Sequence, residues 1–139
     1  MGDLICYQGR VKSKTLTWLE LAKNDLEFAK EILENKKRPH YAAHFCHQAV
    51  EKLFKAVIQE KTNDIPLRTH NFKLLCQQAK INIPEERMKW LLSLSPHYIG
   101  TKYPEDVFKL YKQYSQRFTE TLYKQTKEFF EWLKTSYLK

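Results

Sequence analysis

The sequence predicts an all-α protein, an antiparallel up-and-down bundle of about five helices. Helix breakers are scarce, with three Gly and five Pro among 139 residues. Apolar residues recur at steps of three and four along most of the chain, which is the period of an amphipathic helix. Three Trp, eight Tyr and eight Phe provide large side chains to fill a small core. A chain of this length fits a single domain.

The first two helices are predicted by long apolar stripes that end at turn-forming or basic residues. The stripes run over residues 15–34 and 40–61, and the basic run 35–39 joins them. Two long helices with so short a link are expected to pack antiparallel. The central helix also carries a row of polar residues at helical spacing on one side: His40, His44, His47, Glu51 and Lys55.

Shorter elements are predicted in the second half of the chain. Thr69 is expected to cap a third helix over residues 70–80, and a fourth begins at Pro84, whose fixed φ suits a first turn. A loop follows over residues 96–106, then a short turn to Tyr114 and a last helix over 115–137. Residues 1–14 are expected to form an N-terminal tail, and residues 15–139 a single bundle domain.

The formal charge is +8, with 24 Lys and Arg against 16 Asp and Glu. This balance favours an anionic partner such as nucleic acid, a nucleotide or an acidic protein face, although solvated Lys-rich helix faces give the same sign. Cys6, Cys46 and Cys76 lack CxxC spacing and are interpreted as free thiols in a reducing compartment. No apolar run is long enough for a signal peptide or a membrane span, so a cytoplasmic protein is expected.

Chemical motifs of known enzymes are not found in the sequence. His40, His44 and His47 suggest metal ligands, but they spread over two turns of one helix, and we predict no metal and no cofactor. Cys46 lies on the apolar stripe, away from His44 and His47, so a nucleophile–base pair is not favoured. Phosphate-binding Gly-rich loops, HExxH and GxSxG are also lacking.

Three segments, in order, resemble the HEPN (higher eukaryotes and prokaryotes nucleotide-binding) domain. They are QAVEKLFKA at 48–56, LRTHNF at 67–72 and KYPED at 102–106. The similarity covers roughly residues 15–137. It implies a helical bundle, usually a homodimer, that binds a nucleotide or RNA. It also implies a separately encoded minimal nucleotidyltransferase as partner, as in toxin–antitoxin pairs.

Many HEPN relatives are ribonucleases that use an Arg and a His separated by four to six residues near the last helix. Arg38 and His44 have five residues between them, but they lie at the start of the central helix. Lys102 stands where the family often has Arg, and no His follows at the required distance. The sequence therefore favours binding over catalysis. The alternatives are a metal-independent ribonuclease with His97 or His70 as catalytic groups, and a helical protein-interaction module without a ligand.

Five residues are the predicted nucleotide-binding set: Lys55, His70, Tyr98, Lys102 and Tyr103. The two Lys would meet phosphate as point charges, and the two Tyr would stack on a base. His70 lies near a helix N-terminus, where an anion is favoured. Each residue has a structural alternative, such as Lys55 pairing with Glu51, or Tyr103 packing the loop onto the bundle.

Overall fold

A computed structural model describes residues 11–100 and 102–138, which contain six α-helices and one 3-10 turn but no strand. The elements in order are α1 (Ser13–Glu34), α2 (Pro39–Lys61), α3 (Phe72–Ala79), α4 (Glu85–Leu94), the 3-10 turn Ser95–His97, α5 (Pro104–Gln113) and α6 (Gln116–Tyr137). The predicted all-α class is confirmed. There are six helices where about five were expected, because residues 104–113 form a complete helix in place of a short turn.

Helices α1 and α2 form an antiparallel hairpin. The start of α1 is hydrogen-bonded to the end of α2. The backbone amide of Lys12 and the hydroxyl of Thr15 both donate to Glu60 Oε1, at 3.0 and 2.9 Å. At the other end, the side-chain Nε2 of Gln116, the first residue of α6, donates to the Leu33 carbonyl at 2.8 Å. Helix α6 therefore begins beside the end of α1 and returns along the hairpin.

Helix α2 is the centre of the core and is buried around most of its circumference. Its apolar residues pack against α1, α3 and α6, and Phe54, for example, lies 6.0 Å from Phe72 and 6.3 Å from Phe129 between ring centroids. The polar row is buried as well, including His40, His47 and Glu51 at 5%, 1% and 6% exposure. The polar residues of α2 therefore need partners inside the protein.

The third and fourth helices differ from the prediction at their first residues. The prediction of Thr69 as a helix cap was wrong: Asn71 is the N-cap of α3, and its side chain accepts from the Leu74 amide at 3.2 Å. Thr69 instead accepts from the Asn71 amide at 3.1 Å. Pro84 immediately precedes α4 as its N-cap residue. Short polar side chains compete for the same free amides, which is why sequence alone misplaced the cap by two residues.

Three further sequence predictions were an N-terminal tail, free cysteine thiols and the lack of a membrane-spanning helix. Helix α1 begins at Ser13, inside the predicted tail, whereas residues 1–10 and Cys6 lie outside the described part of the chain. Cys46 and Cys76 are free and buried, and burial raises the pKa of these thiols to about 12 and about 11. Within the described ranges, no helix has the length and apolarity that a membrane crossing requires.

Candidate functional site

The site is built around the carboxylate of Glu51, which is buried on α2. Glu51 Oε1 lies 2.8 Å from His70 Nδ1, and Oε2 accepts from Lys55 Nζ at 3.2 Å. Lys55 is one turn further along α2, whereas His70 comes from the segment that precedes α3. Both oxygens of the carboxylate therefore have a charge-assisted bond to a protein group. Glu51 therefore attaches the start of α3 to the central helix.

His47 lies one turn before Glu51 but does not form an ion pair with it. Its Nδ1 is 3.7 Å from Glu51 Oε1, which is too long for a hydrogen bond. Burial, with smaller electrostatic effects from other histidines and Lys102, lowers the pKa of His47 to about 3. The imidazole is therefore neutral at pH 7, and it packs against Phe72 at 4.6 Å between centroids.

The connection between the 3-10 turn and α5 covers this polar row. Tyr98 stacks on His70 with ring centroids 3.9 Å apart and planes inclined by 27°. The same ring contacts His44 and His47 at 4.8 and 5.0 Å. The Ile99 amide donates to His44 Nδ1 at 2.9 Å, so the neutral tautomer of His44 carries its proton on Nε2. Burial is the main cause that lowers the pKa of His44.

Two more contacts shape the connection. Lys102 Nζ donates to the Tyr98 carbonyl at 2.6 Å and closes a compact loop. The Tyr98 ring also lies directly against Gly100, where an added Cβ would be 2.5 Å from the tyrosine hydroxyl oxygen. Glycine at position 100 thus leaves room for the Tyr98 ring to turn back over its own loop.

The structure brings most of the predicted binding residues together. His70, Tyr98 and Lys102 form one chain of contacts, and Lys55 joins it through Glu51. Tyr103 is 76% exposed beside Lys102 and makes no ring contact within the described residues. Their role in binding stays a prediction.

His97, the other catalytic candidate, points to a different neighbourhood. Its Nδ1 hydrogen-bonds to the Tyr114 hydroxyl, and its ring contacts Phe118 at 6.2 Å. Burial, assisted by the charge of Lys102, lowers the pKa of His97 to about 4. Among the described residues, no hydrogen bond or ring contact joins His97 to His70.

Sequence reasoning assigned no central role to Glu51 or His44. The sequence predicts Glu51 only as a member of the polar row and as a structural partner of Lys55. The available signal was its position in an i, i+4 row of His, Glu and Lys on a helix that is otherwise apolar. In the described ranges, no group of three or more His, Cys, Asp or Glu is arranged to hold a metal ion.

The fold and the site define a small helical-bundle protein whose loop before α5 is fixed on a buried histidine–glutamate row. The family model described as the HEPN domain matches residues 15–136. The match covers nearly the whole chain, so this chain belongs to the HEPN domain family, and the family associates it with a function related to nucleotides or RNA. Comparisons with curated proteins and with solved structures gave no match.

We expect Glu51→Gln to destabilise the protein, because His70 and Lys55 lose their charged acceptor in a buried position. The expected loss is about 1–3 kcal/mol in the free energy of unfolding, measured by urea denaturation. Glu86→Gln is the matched control: its side chain is 86% exposed, and the same substitution there should change the free energy by less than about 0.5 kcal/mol. Equal effects of the two substitutions would contradict the anchoring role of Glu51.

The stability of the protein should fall as the pH is lowered from 7 towards 5. His47 has a folded-state pKa of about 3, and an unfolded histidine titrates near pH ~6.5. Below pH ~6.5 the unfolded chain takes up a proton that folded His47 cannot bind, so the free energy of unfolding decreases by up to about 1.4 kcal/mol per pH unit. His47→Gln should make the slope of unfolding free energy against pH shallower, with no change of slope above pH ~7. An unchanged slope below that pH would show that His47 does not titrate in this way.

Proposed function

We propose that this HEPN-domain chain binds a nucleotide or RNA. The observation that carries the proposal is the family match over residues 15–136. The charge of +8 supports it, since a phosphate-bearing ligand is attracted by a basic protein. The position of Lys102 and Tyr103 just before α5, outside the helices, is compatible with a binding surface, because surface loops on a rigid scaffold commonly carry function.

The five predicted binding residues differ in how much of each side chain is exposed and free to contact a ligand. His70 has a side chain that is 43% exposed, Tyr103 is 76% exposed, and Lys102, the residue before Tyr103, is partly exposed. These three have surface available for a ligand. Lys55 is 11% exposed and paired with Glu51, so we infer that it positions His70 indirectly and is not a primary phosphate ligand. Tyr98 is occupied by stacking on His70.

Binding is favoured over catalysis by the state of the histidines. His70 is bonded to Glu51, and His97 is bonded to Tyr114. His44, which has the ribonuclease spacing from Arg38, accepts from the Ile99 amide and is buried. An acid–base group needs access to its substrate. His44 is buried, and Nδ1 of His70 and Nδ1 of His97 are already hydrogen-bonded within the chain. The metal-independent ribonuclease remains the alternative that the experiment below separates from binding.

Thermal melting against mononucleotides and short single-stranded RNAs tests the proposal. A ligand present at about 100 times its dissociation constant should stabilise the fold by about 2.7 kcal/mol, which raises the Tm by several degrees. The same RNAs are then run on a denaturing gel after incubation with EDTA. A Tm increase with intact RNA is expected. Cleavage of the RNA by the wild type and by His97→Ala, but not by His70→Ala, would identify a nuclease centred on His70. No shift and no cleavage would favour an interaction module.

We also propose that the chain forms a homodimer and acts in the cytoplasm with a separately encoded minimal nucleotidyltransferase, as in toxin–antitoxin pairs. The support is the resemblance of the three segments named above to HEPN domains. The excess of basic residues suits an acidic face on such a partner.

Co-expression with a minimal nucleotidyltransferase encoded beside this chain tests the partnership. We expect the two proteins to elute together in size-exclusion chromatography with light scattering, and the chain alone to have the mass of a dimer. The complex should weaken as salt is raised, because charge attraction is screened. A nucleotidyltransferase from an unrelated locus serves as the control, and separate elution of the neighbouring pair would refute the partnership.

A further inference from the structure

A cavity of about 470 Å³ lies on the far side of Lys102, between the beginning of α2 and helix α5. We call it the α2/α5 cavity. Two cations line it, Arg38 and Lys102, together with His40 and three aromatic residues, Tyr41, Phe108 and Tyr111. Its volume falls within the range of about 300–1,000 Å³ that is usual for small-molecule sites.

The aromatic residues of the cavity leave part of their surface exposed, although Lys112 Nζ lies 4.5 Å from the centroid of the Phe108 ring. Phe108, Tyr111 and Tyr41 are 56%, 48% and 40% exposed. None of the residues of α5 is buried, although the helix is strongly amphipathic. Exposed aromatic faces are suited to stacking on a planar base, which is favourable for every base because each has a π-face.

The cations of the cavity give one edge a positive charge. Arg38 and Lys102 form no ion pair with another described residue, and no acidic side chain belongs to the cavity lining in the described part of the chain. Arg38 is also the N-cap residue of α2, and no side chain caps that helix. The dipole of a helix of 23 residues adds positive potential at the same edge. The combination suits a phosphate group.

His40 supplies an independent sign of a missing partner. The ring is 95% buried, given its 5% exposure, and it lies against Tyr41 and Tyr111 at 4.2 and 4.7 Å between centroids. Its Nδ1 is buried without a hydrogen-bond partner among the described residues. Burial is the main cause that lowers the pKa of His40, and the charge of Arg38 adds to it. A neutral imidazole has one donor and one acceptor nitrogen, so the unpartnered Nδ1 of this cavity-lining residue has unused hydrogen-bonding capacity.

We propose that the α2/α5 cavity binds one nucleotide unit, with its base stacked on Tyr111 or Phe108 and its phosphate between Arg38 and Lys102. The inference rests on the proposed function and places the ligand in this cavity. Of the five predicted binding residues, only Lys102 lines it. The same unit occurs in a free nucleotide and in single-stranded RNA, and the experiment distinguishes the two. Aromatic walls with cations along one edge match a base and its phosphate better than an acidic peptide, which has no planar group to stack.

The test compares a set of variants with the wild-type full chain, all checked for an unchanged Tm without ligand. Arg38→Gln and Tyr111→Ala alter the cavity, His70→Ala and Tyr103→Ala alter the Glu51 region and the loop, and Lys89→Gln on α4 is the control for loss of a surface cation. The control residue is 70% exposed and pairs only with Glu86 among the described residues. The probes are AMP, GMP, CMP and UMP by calorimetry, and fluorescently labelled RNA hexamers by anisotropy.

We expect Tyr111→Ala to weaken binding by roughly 5- to 150-fold, the range that loss of one base–aromatic stack produces. Tyr111→Phe, which keeps the ring, should bind like the wild type. For RNA, Arg38→Gln should reduce the slope of log K against log salt by about 0.7, because one phosphate contact is lost. Lys89→Gln should leave both affinity and slope unchanged. Binding of mononucleotides identifies a free nucleotide as the ligand, and binding of the hexamers alone identifies RNA.

Two results would overturn the inference, and they are distinguishable. Wild-type affinity in both Arg38→Gln and Tyr111→Ala, with loss in His70→Ala or Tyr103→Ala, would place the ligand elsewhere and leave the proposed function intact. No binding of any probe by the wild type would reject the cavity and the proposed function together. Ultraviolet crosslinking of the bound hexamer provides a second readout, with crosslinks expected on peptides that contain Tyr41, Phe108 or Tyr111.

Discussion

The burial of helix α2 is the constraint on which the rest of the structure depends. A helix that is covered by α1, α3, α6 and the loop before α5 cannot leave polar side chains to water, yet its sequence contains three His and one Glu in a row. Three contacts pair part of that row: His70, from the segment before α3, and Lys55, on α2 itself, bond to Glu51, and the Ile99 amide donates to His44. Nδ1 of His40 and Nδ1 of His47 have no hydrogen-bond partner among the described residues. Polar pairing therefore determines where the start of α3 and the connection to α5 can lie.

Most of the fold was predictable because it follows from local signals. Apolar periodicity gives α1, α2 and α6, and Pro39, Pro84 and Pro104 mark the beginnings of three helices within one residue. A turn was predicted in place of helix α5, because a single helix from residue 105 to the end would be longer than is usual in globular proteins. The break itself comes from the extended backbone of Tyr114 and Ser115, where the Ser115 side chain caps α6.

The candidate site was predictable only in part. The sequence shows that His44, His47 and Glu51 share one side of α2, but the same spacing describes a solvated face and a buried row. What distinguishes the two is the element that packs on the row, and no local rule connects Tyr98 or Ile99 to residues some fifty positions earlier. Side-chain chemistry and the resemblance to HEPN domains predict His70, Tyr98 and Lys102 as binding residues. The stacking of Tyr98 on His70 is a property of the tertiary structure, which the sequence does not show.

The backbone of Arg38 has a consequence for how this protein can vary. Its φ and ψ angles of 50° and 55° lie in the left-handed region, where glycine is accommodated without a steric penalty. A long cationic side chain at that position is unfavourable for the backbone, yet it places a guanidinium at the start of the central helix. If the cation serves a ligand, residue 38 is a point of stability–function trade-off: selection for stability alone would favour glycine, and selection for binding would retain arginine.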